Sequence, residues 1–325
     1  MKRFTDQTMG EIINWCGARL QERSGIEIEL PVIKDADDGY PGQLIDTAFG
    51  KIRYRTMQNV VDLAEALGCV VTPRRFDAPW LQVTLTPCRP ESDWHRAARD
   101  VEKYGVDSPY QRIQKLEDPS FLSDLRRSLI EANVAGQEHL LNLGVNTGDE
   151  LMSVLELNPD VGCVGIDHSP SAIAAARQRF AGTMHTFIEM DINGIDKIDA
   201  SHHKRYDLFM SLGTLHSPGV DSKRVFMWCM RHLLSPSASV IIGFPNCRWV
   251  NGVPVFGART KNRRAQDMSL VVKDVYFIKK YLQQHRFNTT IFGKYYLFVV
   301  GTKSPTLLRL LQKAQSSHSP AGDCR

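Results

Sequence analysis

The run Leu140-Leu141-Asn142-Leu143-Gly144-Val145-Asn146-Thr147-Gly148-Asp149-Glu150 carries an apolar stretch straight into a glycine-bounded turn. Such a turn lets a ligand approach backbone N–H groups that a Cβ would otherwise shield. About 20 residues further on, Gly165-Ile166-Asp167 ends a second apolar stretch in an acid. A carboxylate placed there accepts two hydrogen bonds from ribose hydroxyls, so the two features together suit a nucleotide-containing cofactor. A structural loop followed by a helix N-cap is the plainer alternative. The dinucleotide fingerprint G-x-G-x-x-G is not met, because Asn146 and Asp149 stand where the second and third glycines belong. That weighs against a dehydrogenase.

Four other groups could do chemistry. His216 follows the apolar stretch 206–213, and an unperturbed imidazole, with a pKa near 6.5, can take a proton at neutral pH. Two roles are open to it: general base, or a ring that packs over a cofactor or caps the turn before Pro218. Cys247, in Asn246-Cys247-Arg248-Trp249, could attack a pyrimidine ring, but no second cysteine accompanies it, which favours an incidental buried thiol. The basic stretch 257–264 offers Arg259, Lys261, Arg263 and Arg264 to a substrate phosphate or carboxylate, or to nucleic-acid backbone; a solvated loop is the alternative. Residues 104–112 read either as a lid over the cofactor or as packing between domains. No spacing of metal ligands is found, and no metal is expected.

Alternating elements must position these groups. Strands are expected at 139–145, 163–167, 185–191, 206–213, 238–245, 287–293 and 295–302. Helices are expected at 148–157, 169–180, 221–234 and 273–285, with Ser169 as N-cap before Pro170. This alternation predicts a parallel sheet covered on both faces, and the last two strands, joined at Gly293-Lys294, must form a hairpin. The first part reads as a separate α+β unit, with helices at 10–23 and 57–67, strands at 51–55, 69–72 and 80–86, and a loop at 35–42. Residues 94–133 read as helical, broken near Gly105, Pro109 and Pro119. The expected domains are an accessory unit over 1–98, a helical linker or lid over 99–136, the sheet domain over 137–303 and a disordered tail over 304–325.

With 42% apolar and 23% charged residues, the chain is neither disordered nor fibrous as a whole. A net charge of +4 permits an acidic partner without demanding one. Seven cysteines without a C-x-x-C pair suit reduced thiols. The N-terminus shows no secretory pattern and no apolar run spans a bilayer, so a soluble cytoplasmic protein without membrane partners is expected.

From 137 to 303 the chain resembles the class I S-adenosylmethionine-dependent methyltransferases, a Rossmann-like doubly wound seven-stranded family whose last strand is antiparallel. By that resemblance Asn142, Gly144, Asn146 and Gly148 belong to the loop under the methionine and sulfonium end of S-adenosyl-L-methionine. Asp167 matches the ribose-binding acid, and Asp191 with Ile192 the adenine site. Leu212-Gly213-Thr214-Leu215-His216 matches the segment bordering the transferable methyl. The departure is Asn146, where the family often has glycine; asparagine tolerates left-handed backbone better than other residues. The segment lacks the Asn-Pro-Pro-aromatic run of nucleobase-amino methyltransferases. The resemblance implies methyl transfer to an O or N nucleophile of a small or medium-sized substrate. RNA, gripped by the N-terminal unit and the basic loop, is the rival substrate, and a catalytically silent binding module is a third possibility.

Overall fold

The computed structural model describes residues 1–32, 40–88, 100–250, 253–257 and 268–303. The chain divides into two compact units, Met1–Glu91 and Ser92–Arg325. The expected boundary near 98, the tail 304–325 and most of the loop expected at 35–42 lie outside the described residues.

The first unit pairs β1 (Lys2–Arg3), β2 (Ile26–Pro31), β6 (Trp80–Pro87) and β5 (Cys69–Asp77), in that order, into one sheet, while β3 (Leu44–Thr47) and β4 (Gly50–Arg53) form a separate hairpin. Helices α1 (Met9–Glu22) and α2 (Met57–Ala66) both begin with reciprocal caps, Thr8 with Glu11 and Thr56 with Asn59. Each such pair satisfies two backbone donors that a helix start leaves open. The core gathers Ile12 and Cys16 from α1, Val60 and Leu63 from α2, and the inward alternation Ile28, Leu30, Val83 and Leu85 from the sheet.

In the second unit α3 (Pro119–Glu131) precedes the strand and helix series β7 (His139–Leu143), α4 (Asp149–Leu157), β8 (Gly162–Asp167), α5 (Pro170–Arg179), β9 (Thr186–Glu189), β10 (Tyr206–Leu212), α6 (Ser222–His232) and β11 (Leu234–Pro245). A short hairpin of β12 (Cys247–Val250) and β13 (Val253–Phe256) follows, then α7 (Ser269–Gln284), β14 (Phe287–Phe292) and β15 (Tyr296–Lys303). The seven-stranded sheet runs β14-β15-β11-β10-β7-β8-β9. Only β15 is antiparallel to its neighbours in this sheet.

Leucines at 140, 141 and 143 are fully buried, Leu140 on one face of the sheet with Leu151, Ile173 and Phe298, the other two opposite with Phe226 and Val240. Each contributes about 1.5–3 kcal/mol of burial, which fixes the register of β7 and so the position of the turn that follows. The helix expected at 169–180 is α5, and Ser169 accepts from the Ala172 N–H at 3.3 Å. The charged stretch before the sheet is helical as expected over 119–131 but not over its earlier described residues. Among its described residues only α3 is an α-helix; Asp100–Glu102, Pro109–Arg112 and Lys115–Glu117 are single 3₁₀ turns. Pro109 and Pro119 each open an element and cannot continue one, and Asp118 caps α3 by accepting from the Phe121 N–H at 2.7 Å.

Candidate functional site

Strand order reverses between β7 and β10, and the loops leaving the carboxyl ends of those two strands face each other there. The β7 loop is a tight left-handed turn, with φ of +77° at Gly144, +48° at Asn146 and +84° at Gly148. It hangs on β8, because the N–H groups of Gly144 and Val145 both donate to the Ile166 carbonyl, at 2.7 and 3.2 Å. Gly148 then starts α4, whose first turn carries Asp149 and Glu150, acids that suit the positive end of the helix.

Asp167 ends β8 almost fully buried. Its Oδ2 accepts from the Asn146 N–H at 2.9 Å and its Oδ1 from the Ser169 N–H at 3.0 Å. His168, a residue the sequence reading passed over, brings Nδ1 within 3.4 Å of the same carboxylate, and that bond raises the imidazole pKa. Asp191 follows β9, caps the turn Ile192–Lys197 through the Asn193 N–H at 2.9 Å, and adds to the field on His168. Ile192 is buried behind it, Asn142 is buried within β7, and Leu212 is buried at the end of β10.

Thr214 packs directly against Gly144, joining the two loops. A Cβ built on Gly144 would lie 2.7 Å from Thr214 Cβ and 2.8 Å from its Cγ2, and closer still to Oγ1. The space that a Cβ on Gly144 would take is thus filled by Thr214. Two residues on, His216 is exposed. Loss of solvent from the charged form pushes its pKa down, to about 4, while water at the exposed edge opposes the shift. The consequence is a ring that is neutral at pH 7.

The segment 100–117 runs across this edge as a strap. Glu102 accepts from Ser169 Oγ at 3.0 Å, from Ser171 Oγ at 2.5 Å and from the Ser171 N–H at 3.2 Å, at the start of α5. Gln111 Nε2 donates to Asn146 Oδ1 at 2.6 Å, and Asn146 Nδ2 donates to the Tyr104 carbonyl at 2.8 Å. Lys115 pairs with Glu150 at 2.6 Å, both nearly buried, with the rings of Tyr110, Phe121 and Tyr296 around the ammonium. Burial pulls the lysine pKa down, but the Glu150 charge and the tyrosines more than reverse this and hold it well above the usual range.

Cys247 is buried and its thiol is pushed up to about 12, which leaves it inert as a nucleophile. Arg259, Lys261, Arg263 and Arg264 lie outside the described residues. Among the described residues no three His, Cys, Asp or Glu side chains gather as metal ligands, and no helix is long and apolar enough to cross a membrane. A surface depression on α3 bounded by Leu122, Arg126 and Ile130 shares no residue with the switch-point edge.

A sheet of this order, with one antiparallel strand next to its edge and a glycine turn and buried acid at the switch point, has the architecture of the class I methyltransferases. Residues 141–240 match the family model described as "Methyltransferase domain", and this segment of the chain is a class I methyltransferase domain. No curated protein matches the chain. The chain is similar to the solved plantazolicin methyltransferase BpumL in complex with SAH, at 14% identity over 63% of this chain and 94% of that one, with a TM-score of 0.45. It is also similar to a SAM dependent methyltransferase from Aquifex aeolicus, at 17% identity over 60% and 98%, TM-score 0.41. A third similar structure is magnesium protoporphyrin IX methyltransferase from Synechocystis PCC 6803 with bound SAM, at 15% identity over 56% and 77%, TM-score 0.37.

Proposed function

We propose that this protein transfers the methyl group of S-adenosylmethionine to an oxygen or nitrogen nucleophile of a small or medium-sized molecule. The observation that carries this reading is the Asp167 carboxylate. It has about four lone-pair directions, two of them taken by the Asn146 and Ser169 N–H groups and a third faced by His168 Nδ1 at 3.4 Å. The vicinal hydroxyls of a ribose suit the remaining direction and, by displacing His168, the one that the imidazole faces. The bound donor would supply a sulfonium methyl that is already electrophilic, so the chain has mainly to align a nucleophile and exclude water.

In this reading Asn142, Gly144, Asn146 and Gly148 shape the floor of the donor site, with Asp191 and Ile192 at its adenine end and Leu212 beside the methyl. His216, neutral at pH 7, accepts a hydrogen bond from the incoming hydroxyl or amine and turns its lone pair toward the methyl. A conjugate acid titrating near 4 gives a weak driving force for proton abstraction, so orientation is the larger part of its work. Residues 1–98 are an accessory unit for selecting the acceptor.

Calorimetric titration with S-adenosylhomocysteine, followed by incubation of protein and donor with fractionated cell extract, tests the reading. A donor-dependent gain of one methylene in a small molecule is the expected result. Absence of binding would refute donor use. Methyl incorporation confined to RNA, with affinity falling by a log-log slope of roughly −0.7 per phosphate as salt rises, would refute the acceptor class.

A further inference from the structure

Both backbone N–H groups that orient Asp167 belong to residues whose side chains are held by the strap. Asn146 is held through its carboxamide, which accepts from Gln111 Nε2 and donates to the Tyr104 carbonyl. Gln111 Nε2 reaches the same carbonyl at 3.0 Å, closing the group on itself. Ser169 is held through its hydroxyl, which donates to Glu102. The strap itself is shaped to fit: the Val106 N–H donates to Ser171 Oγ at 3.0 Å, and a Cβ on Gly105 would lie 2.6 Å from that oxygen and run into the Glu102 carboxylate.

We infer that Gln111 is a positioning residue for the methyl donor, acting through Asn146 to fix the N–H that aims Asp167. This role presupposes the donor reading above and extends it to a part of the chain that precedes the sheet. Asn146 sits at φ +48°, a backbone state that costs a non-glycine residue free energy unless its surroundings hold it there. The tether from Gln111 and Tyr104 supplies that hold. Without it the residue is free to leave the left-handed state, its N–H turns away, and the carboxylate loses one of its two guides. Donor bound on Asp167 lies beside the tethered turn, so loosening of the tether is felt as faster escape of the donor rather than slower entry.

The test uses the full chain and S-adenosylhomocysteine, with calorimetry for affinity and stopped-flow displacement for the off-rate. Three variants are compared with wild type: Gln111→Met, which keeps length and removes the donor; Asn146→Gly, which keeps the left-handed backbone and removes the carboxamide; and the two together. Gln111→Met should raise the off-rate roughly fivefold, the weight of one neutral hydrogen bond, and Asn146→Gly, which loses three, at least as much. The pair together should match the worse single variant, because both cut the same link. A fourth variant, Gly105→Ala, disturbs the strap from its own backbone, next to the Tyr104 carbonyl that both Gln111 and Asn146 bond. It should speed amide hydrogen exchange over 104–112 and 145–148 in protein without donor, because it displaces Glu102 from α5.

An off-rate for Gln111→Met within about twofold of wild type, or single effects that multiply in the double variant, would overturn the role. So would unchanged exchange over 145–148 in Gly105→Ala. Wild-type protein that binds no S-adenosylhomocysteine would overturn the donor reading and this role with it. Wild-type binding with unaltered Gln111→Met kinetics would overturn this role alone.

Discussion

Replacing Gly144 by alanine should damage the protein through two separable costs. The first is backbone: at φ +77° an L-residue pays about 1–2 kcal/mol that glycine does not. The second is steric, since the new Cβ would sit 2.7 Å from Thr214 Cβ and against its hydroxyl, and overpacking of that kind costs about 1–3 kcal/mol. The sum is roughly 2–5 kcal/mol of folding stability, read as a lower urea midpoint at unchanged slope. Donor affinity should fall with it, because a shifted turn carries the Asn146 N–H off Asp167. The partner change Thr214→Gly distinguishes the two costs. In Gly144→Ala/Thr214→Gly the steric share should return and the backbone share persist, after correction for Thr214→Gly alone. Wild-type stability in Gly144→Ala would refute the packing described here. An unrelieved double variant would show that Thr214 is not what fills the space.

Asp167→Ala should weaken S-adenosylhomocysteine binding at least about tenfold in calorimetry and also lower stability, since each orphaned N–H, of Asn146 and of Ser169, costs about 1–3 kcal/mol. Full stability together with lost binding would mean those N–H groups find other acceptors. His216→Gln should keep the turnover number within about tenfold of wild type, with the wild-type rate flat from about pH 5.5 to 8.5; a fall of about 10²–10⁴ with an acidic limb near 6.5 would make His216 a general base instead. Because its folded pKa lies below the unfolded value, the unfolded chain takes up the proton first. Wild type should therefore lose stability relative to His216→Gln as pH falls from about 6.5 toward 4. Lys115→Met should cost about 3–5 kcal/mol by stranding Glu150, and Lys115→Met/Glu150→Met should recover most of it. Since the lysine pKa is raised on folding, the pair's contribution should stand in full below about pH 10.4 and fade only as pH rises through the folded value, which unfolding at graded pH would detect.

Much of the sheet domain could be read in advance because its strands are buried on both faces and so appear as near-continuous apolar runs. Leu140 to Leu143, the Ser169-Pro170 helix start and the hairpin at Gly293-Lys294 are of this kind, each set by local chemistry. Three strands outside those expected also carry a local signal. β2 alternates Ile26, Ile28 and Leu30, and β12 and β13 flank the dipeptide Asn251-Gly252, the strongest short hairpin signal there is. What could not be read is tertiary. A glycine at 144 announces a close neighbour, yet only the fold shows that the neighbour is Thr214 from the loop after the adjacent strand. Likewise the depressed pKa at His216 comes from loss of solvent, which the residue's type and neighbours in sequence do not announce. The charge-rich stretch misled because charge suits helices and straps equally, and Gly105 and Pro109 decide between them.

Position 146 joins what was legible to what was not. From sequence, asparagine in place of glycine is a tolerated departure, since its backbone can still turn left-handed. In the fold its side chain does something glycine cannot, accepting from Gln111 and from the Thr147 N–H at 2.9 Å while donating to Tyr104. A glycine there would leave the turn dependent on its own backbone bonds, and the strap without its central fastening. The substitution therefore trades backbone freedom for a link between the loop that would cradle a donor and the segment that crosses it. The two side chains serve each other: Gln111 keeps only the Tyr104 carbonyl if glycine stands at 146, and Asn146 keeps only the Tyr104 carbonyl and the Thr147 N–H if residue 111 cannot donate. Chains of this fold with glycine at the equivalent place should consequently lack a donor side chain at the place of Gln111.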